Sequence, residues 1–335
     1  MAESEFRARF PWYGPDLQTI RNSLVRSPVR VPSANARRLE LPTNDGSGDV
    51  MLAVLDRPAN QSRRPLIVLI HGLTGCQDSD YILNSARFWL DREHPVLRLN
   101  LRGAGPSRSH CTEQYHAGRS DDLRFVLAAL DDAILAHGAI AIGYSLGGNM
   151  LLKYLGEEGV LAPFIAAASV SAPIDLAAAA QRFNRPRNWL YQRWLLAMMK
   201  NEAGARGARL SDGEREAIAA AKTVYAFDDT FVAPRNSFAG AKDYYAKSSA
   251  NGFLARIGIP TLILHARNDP WIPVRTYEES VQKLSPNTKL VLSHSGGHVG
   301  FHGRGSSVPW HDRRIAVWLD TAVSRDQLGA DDTPE

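Results

Sequence analysis

The chain has little cysteine: Cys76 and Cys111 are the two thiols in 335 residues. So few cannot form a disulfide framework, which leaves the fold to a packed core and fits a reducing compartment, the cytoplasm. It also has little excess charge, formally +4 and spread along the chain. No Lys/Arg tract alternates with aromatics, so nucleic acid is not an expected partner. Long apolar runs are missing. The most apolar stretch, 160–180, is interrupted by Pro163, Pro173 and Asp175. It reads as a buried strand followed by an alanine-rich segment, and no integral membrane segment is expected. The opening residues, MAESEFRARF, carry acids and arginines where a signal peptide needs an apolar stretch. There is no internal repeat, and the polar tail from 322 to 335 is expected to fray.

What is present is a regular alternation. Apolar residues make up 44% of the chain, enough for a large core, and they fall in short runs. Residues 37–41 and 50–55 read as paired strands around the turn sequence TNDGSG. The runs at 66–70 (LIVLI), 96–100, 140–143, 164–170, 261–265 (TLILH) and 290–293 read as further strands. Helical patterns lie at 81–91, 120–137, 146–156, 274–284 and 313–323. Such alternation predicts an α/β fold with a mostly parallel sheet and helices on both faces. Chemistry in such sheets sits at the carboxyl ends of the strands. From Leu176 to about Gly258 no core strand is predicted, and FNRPRNWLYQRWLLAMMK is helical, aromatic and basic. A structureless loop of that length is improbable, so the chain reads as one domain over 1–335 with a helical cap inserted at about 176–258.

Residues 140–148 read IAIGYSLGG. Within them Gly143-Tyr144-Ser145-Leu146-Gly147 matches G-x-S-x-G, a strained strand-to-helix turn that lifts a serine hydroxyl above a sheet. Its glycines are steric necessities, since side chains there would strike backbone. A strand precedes the motif and a helix pattern follows it, which is the context the chemistry needs. LIVLI is followed by His71-Gly72-Leu73-Thr74-Gly75. An HG pair after this strand suits an oxyanion hole formed by the N–H groups of Leu73 and Leu146. His71 itself is expected to hold that loop by hydrogen bonds. The strand TLILH leads to Asn268-Asp269-Pro270, and the last strand leads to LSHSGGHVGF, in which His298 follows two glycines. The order Ser145, Asp269, His298 predicts a nucleophile, an orienting acid and a general base.

Rivals are weaker. His294, His298 and His302 are spaced by four, but Gly296, Gly297, Gly300 and Gly303 oppose a helix, so no metal site is expected. Cys76, beside the oxyanion loop, reads as a small packing residue. Asp228 and Asp229 follow no core strand and rank below Asp269. In the cap, Trp189 and Trp194 are the candidate substrate contacts, among an apolar set with Phe183, Tyr191, Leu195, Met198 and Met199. Arg182, Arg185, Arg187 and Arg193 could meet an anionic head group. The plainer reading is one packed face and one solvated basic face.

These stretches also carry a family resemblance. LQTI (17–20), HGLTG (71–75), DSDYI (78–82), LRGAG (101–105), GYSLGGNMLLKYLGE (143–157), PTLILHARNDPWIP (260–273) and GGHVGF (296–301) resemble the YheT-like branch of the α/β-hydrolases, the AB-hydrolase 4 family. The resemblance implies an α/β-hydrolase fold and a serine carboxylesterase without cofactor. It carries the triad onto Ser145, Asp269 and His298, with a small-molecule ester substrate, lipid esters included. One position departs: the family commonly has His-Leu-Gln-Thr where this chain has Asp16-Leu17-Gln18-Thr19. That puts a shared N-terminal contact in question, not the chemistry. The same triad would serve acyl transfer to an alcohol or thiol. A non-catalytic binding protein on this scaffold would be expected to lack a triad member, and none is missing.

Overall fold

The structure, a computed structural model, describes residues 5–25, 29–31, 35–60, 62–324 and 326–328. Eight strands form one sheet in the order β1-β2-β4-β3-β5-β6-β7-β8. They are β1 (Ala36–Pro42), β2 (Val50–Asp56), β3 (Leu66–Ile70), β4 (Val96–Leu99), β5 (Ala139–Tyr144), β6 (Ala166–Val170), β7 (Thr261–Ala266) and β8 (Thr288–Ser293). The β1–β2 and β2–β4 pairs are antiparallel. All pairs from β4 to β8 are parallel, as predicted.

The buried strands divide their side chains between two layers because alternate residues face opposite sides of a sheet. Leu66, Val68 and Ile70 join one core, with residues of the helices Asp121–Ala129 and Leu146–Glu158. Ile67 and Leu69 join the other, with residues of Asp80–Leu90 and Trp310–Ala322. Burial on both faces explains why LIVLI is apolar throughout.

Between β6 and β7 the chain runs through the helices Leu176–Phe183, Trp189–Ala203, Asp212–Ala220 and Ala241–Ser248, with no strand. The first three of these helices, with the short turns Val224–Phe227 and Asp228–Val232, gather a separate apolar cluster of Phe183, Leu195, Leu196, Met199, Phe227, Phe231 and others. Leu73 and Trp271, from loops at the strand ends, pack against it.

Three boundaries differ from the sequence reading. The helix expected over 120–137 stops at Ala129, and Asp131 starts a new turn by accepting the Ala133 N–H. The pattern at 274–284 is a single helical turn, Arg275–Glu278, followed by a 3-10 turn, Val281–Lys283. In the tail expected to fray, Asp326–Leu328 forms a turn with Leu328 buried, and Leu328 O accepts from Arg64. Residues 325 and 329–335 of that tail lie outside the described residues.

The LRGAG sequence after β4 anchors the sheet's carboxyl edge. Arg102 is fully buried and meets Asp45 at 2.7 Å, Asp49 at 3.2 Å and Asp122 at 2.7 Å. One guanidinium thus ties the β1–β2 turn to the helix Asp121–Ala129.

Candidate active site

Ser145 occupies the turn between β5 and the helix Leu146–Glu158, at φ 50° and ψ −121°. A non-glycine residue there is strained. The strain is held by close packing. A Cβ at Gly147 would lie 2.3 Å from the His71 carbonyl, and one at Gly143 would lie 2.6 Å from the Gly147 carbonyl. A Cβ at Gly72 would lie 2.9 Å from that of Ser145, so the loop after β3 lies directly against the serine. The glycines of the motif permit this contact.

The structure brings together the three residues singled out from sequence. His298 Nε2 lies 2.9 Å from Ser145 Oγ, and His298 Nδ1 lies 2.8 Å from Asp269 Oδ2. The other carboxylate oxygen of Asp269 accepts N–H bonds from Trp271 at 2.8 Å and Ile272 at 3.0 Å. Burial alone would raise the Asp269 pKa. The charges and hydrogen bond of His298, the charge of His265 and the backbone bond of Ile272 outweigh burial and bring it below the ordinary value. An ionised Asp269 accepts the Nδ1 proton, which leaves Nε2 as the acceptor facing the serine. His298 is 6% exposed, and the indole of Trp271 stacks on it.

The loop of Leu73 lies against Ser145 through Gly72. The N–H of Gly72 is taken by the Tyr81 hydroxyl at 2.9 Å and that of Thr74 by the Tyr115 hydroxyl at 2.7 Å. Among the described residues the N–H groups of Leu73 and Leu146 donate no hydrogen bond. Leu146 opens its helix, where an N–H has no intrahelical partner. His71 has the structural place expected of it. Its Nδ1 lies 2.8 Å from Gly72 O, and its Nε2 accepts the Leu101 N–H at 3.0 Å. Complete burial lowers its pKa to about 4, so it stays neutral.

Ser145 and His298 open into a cavity of about 740 Å³ lined by residues of both the sheet loops and the helical insertion. Leu146, Leu176, Phe183, Trp194, Leu195, Met198 and Met199 supply its apolar wall. Trp189 does not reach it. That residue is 54% exposed and carries the Arg193 guanidinium over its ring; this corrects its assignment as a substrate contact. The insertion's arginines are also engaged elsewhere: Arg182 donates to Pro270 O and Arg187 to Asp16. None of Arg182, Arg185, Arg187 or Arg193 lines the cavity.

The rivals separate in space. His294 is exposed, while the His302 backbone is tied to Gln18. Cys76 is half-buried, and burial raises its thiol pKa. Asp229 accepts the Ala241 N–H. Asp228 lines the cavity but accepts from Tyr245 at 2.6 Å. Burial pushes Asp228 up to about 7 against that bond. Glu202 also lines the cavity, 2.7 Å from the Tyr115 hydroxyl, and burial raises it to about 7.

Sequence reasoning missed Trp271, Glu202 and the place of the N-terminal segment. Far from the triad along the chain, that segment lies against it in space: Thr19 Oγ1 accepts the His298 N–H at 2.9 Å. Asp16, the residue that departs from the family pattern, meets Arg187 at 2.8 Å and Tyr191 at 2.8 Å on the insertion. The LQTI stretch was the available signal, though its proximity to His298 was not.

A family model described as the alpha/beta hydrolase fold matches residues 65–304. The chain is 35% identical over 312 residues to "Putative esterase YheT" of Escherichia coli (strain K12), covering 91% of this chain and 90% of that protein. It is 30% identical over 277 residues to "Phospholipase ABHD3" of Mus musculus, covering 81% of this chain and 67% of that one. The solved Pyrococcus furiosus esterase Pf2001 superposes with a TM-score of 0.59 at 16% identity, covering 90% of this chain and 99% of that one. At that identity the likeness is one of fold.

Proposed function

This chain belongs to the alpha/beta hydrolase fold family and is an ester-hydrolysing hydrolase, and from that premise we propose that it works through Ser145, His298 and Asp269. The observation that carries the reading is the continuous array from Ser145 Oγ through the imidazole to Asp269, set on a strained turn beside a cavity with an apolar wall.

His298 Nε2 takes the Ser145 proton as Oγ bonds to the ester carbonyl carbon. Asp269 holds the ring in the required tautomer and stabilises the imidazolium. The carbonyl oxygen becomes an oxyanion, and the unengaged N–H groups of Leu73 and Leu146 bind it. Collapse breaks the ester C–O bond, and the alkoxide leaves with the proton from His298. Water then gives a proton to His298 and attacks the acyl-enzyme, and the acid departs as the proton returns to Ser145.

The helical insertion 176–258 reads as a cap over the site within one hydrolase domain. Its separate apolar cluster and its share of the cavity wall support this. The cavity suits an aliphatic acyl chain, and relatives named phospholipase and monoacylglycerol lipase support esters of lipid character. Among the described residues no helix is long and apolar enough to cross a membrane.

The test is hydrolysis of p-nitrophenyl esters from acetate to palmitate by wild type and Ser145→Ala. Loss of turnover in the variant supports the nucleophile, and turnover that survives it rules the assignment out. Adding competing alcohols and analysing the products separates hydrolysis from acyl transfer.

A further inference from the structure

We infer that the N-terminal helix Gly14–Leu24 is a positioning element for the general base, with Thr19 and Gln18 holding His298 in line with Ser145; this rests on the triad reading above. The loop that carries His298 closes on itself through Phe301 N–H to Gly296 O at 2.9 Å and is otherwise tied to other elements. Val299 sits at φ 53° and Phe301 at φ 50°, in the left-handed region that a β-branched residue rarely enters. Such a conformation persists only where its surroundings over-determine it.

One face of the N-terminal helix supplies that constraint. Pro15, Gln18, Thr19 and Asn22 fall at helical spacing and meet the loop together. Thr19 Oγ1 accepts the His298 N–H at 2.9 Å, and Gln18 Oε1 accepts the His302 N–H at 2.7 Å. Gln18 Nε2 donates to His302 O at 3.2 Å, and Asn22 donates to Val299 O at 3.3 Å. The Thr19 hydroxyl proton is committed to Pro15 O at 2.7 Å, which turns a lone pair toward His298. Thr19 is therefore a preorganised acceptor.

The loop is shaped to receive this helix. A Cβ at Gly297 would lie 2.6 Å from Pro15 O, and one at Gly300 would lie 2.4 Å from Gln18 O. The glycines flanking His298 thus admit the helix as well as freeing the loop. On the sheet side, the loop is held by Ser171 to Val299 N–H at 3.2 Å and by Asn268 to Gly297 N–H at 3.1 Å. The bond to the N–H of His298 itself comes from the helix. Displacing a catalytic group by about 1 Å can cost on the order of 100-fold in rate, so this contact acts on kcat.

The experiment compares wild type, Thr19→Val, Thr19→Ser and Ser145→Ala in p-nitrophenyl ester turnover, fluorophosphonate labelling and thermal unfolding. Valine keeps the shape and removes the acceptor. The expected result is a kcat lowered about 10- to 100-fold, with KM held within about threefold and labelling slowed in parallel. Serine restores the acceptor and should return kcat to within about threefold of wild type. Wild-type kcat in Thr19→Val overturns the inference, as does a Ser variant as slow as Val with both losing activity in step with thermal stability. If Thr19→Val does not fold, Asn22→Ala reads the same link: a several-fold fall in kcat at constant KM supports it, and unchanged kcat overturns it. Turnover or labelling that persists in Ser145→Ala instead refutes the triad reading, whatever Thr19 does.

Discussion

The indole of Trp271 lies over the imidazole of His298, with ring centroids 4.4 Å apart and planes 29° apart. The same indole meets Phe183 and Trp194 of the helical insertion, at 5.4 and 6.1 Å. Its backbone N–H holds the second oxygen of Asp269. Trp271 therefore stands between the insertion and both His298 and Asp269.

In the proposed mechanism an imidazolium forms on His298 as Ser145 attacks, and an aromatic face favours it by about 0.5–2 kcal/mol. Trp271→Leu should lower kcat by about 2- to 30-fold, and Trp271→Phe should recover part of the loss. Steady-state kinetics on one ester decides the matter; an unaltered kcat in the leucine variant refutes the stacking role.

Asp269→Asn keeps the volume but removes the charge and the tautomer control. The expected fall in kcat is about 1,000- to 10,000-fold, with KM little changed. A loss under about tenfold would show that His298 is oriented by other groups.

Trp189 and Trp194 should behave oppositely. Trp189→Ala, at an exposed position, should move stability by less than about 0.5 kcal/mol and leave KM alone. Trp194→Ala removes part of the cavity wall and should raise KM for long acyl esters more than for acetate. Equal chain-length profiles for the two variants would contradict the placement of the cavity.

Arg102 is buried against Asp45, Asp49 and Asp122. Arg102→Ala leaves the buried Asp49 and Asp122 without their cation and should cost about 3–5 kcal/mol in urea unfolding. A cost under about 1 kcal/mol would mean that the carboxylates relax to solvent.

Glu202 and Asp228 are raised by burial to about 7. A carboxyl raised on folding stabilises the protein fully below its unfolded value, near 4, and that contribution is lost as pH rises through about 7. His71, His94 and His265, lowered by burial to about 4, act oppositely: their contribution is lost as pH falls from about 6.5 to about 4. The windows overlap, so the test is differential. Relative to wild type, Glu202→Gln should gain stability between pH 5 and pH 8, read from urea midpoints at both. A constant difference between the two proteins would show that Glu202 does not titrate there.

The strands were legible because each is a short local run, and a strand buried on both faces must be apolar throughout. β3 matches its predicted bounds, and the elbow glycines announce a close approach that any such turn requires. The order of Ser145, Asp269 and His298 was legible for the same reason, since each follows the end of a recognisable strand. Trp189 was misplaced because helix phase is fixed only by what the helix packs on. Five residues at 100° each set Trp189 and Trp194 roughly 140° apart, so one reaches the cavity and the other the solvent.

Sequence by itself determined the α/β alternation, the strained serine turn and the places of Ser145, Asp269 and His298 at strand ends, because local sterics and burial write them into adjacent residues. Tertiary structure alone decided what holds those groups. Thr19 meets His298 across 279 residues, and Trp271 meets the imidazole through two loops brought side by side by the parallel strands β7 and β8. Such contacts depend on how distant elements dock, and no local spacing encodes that.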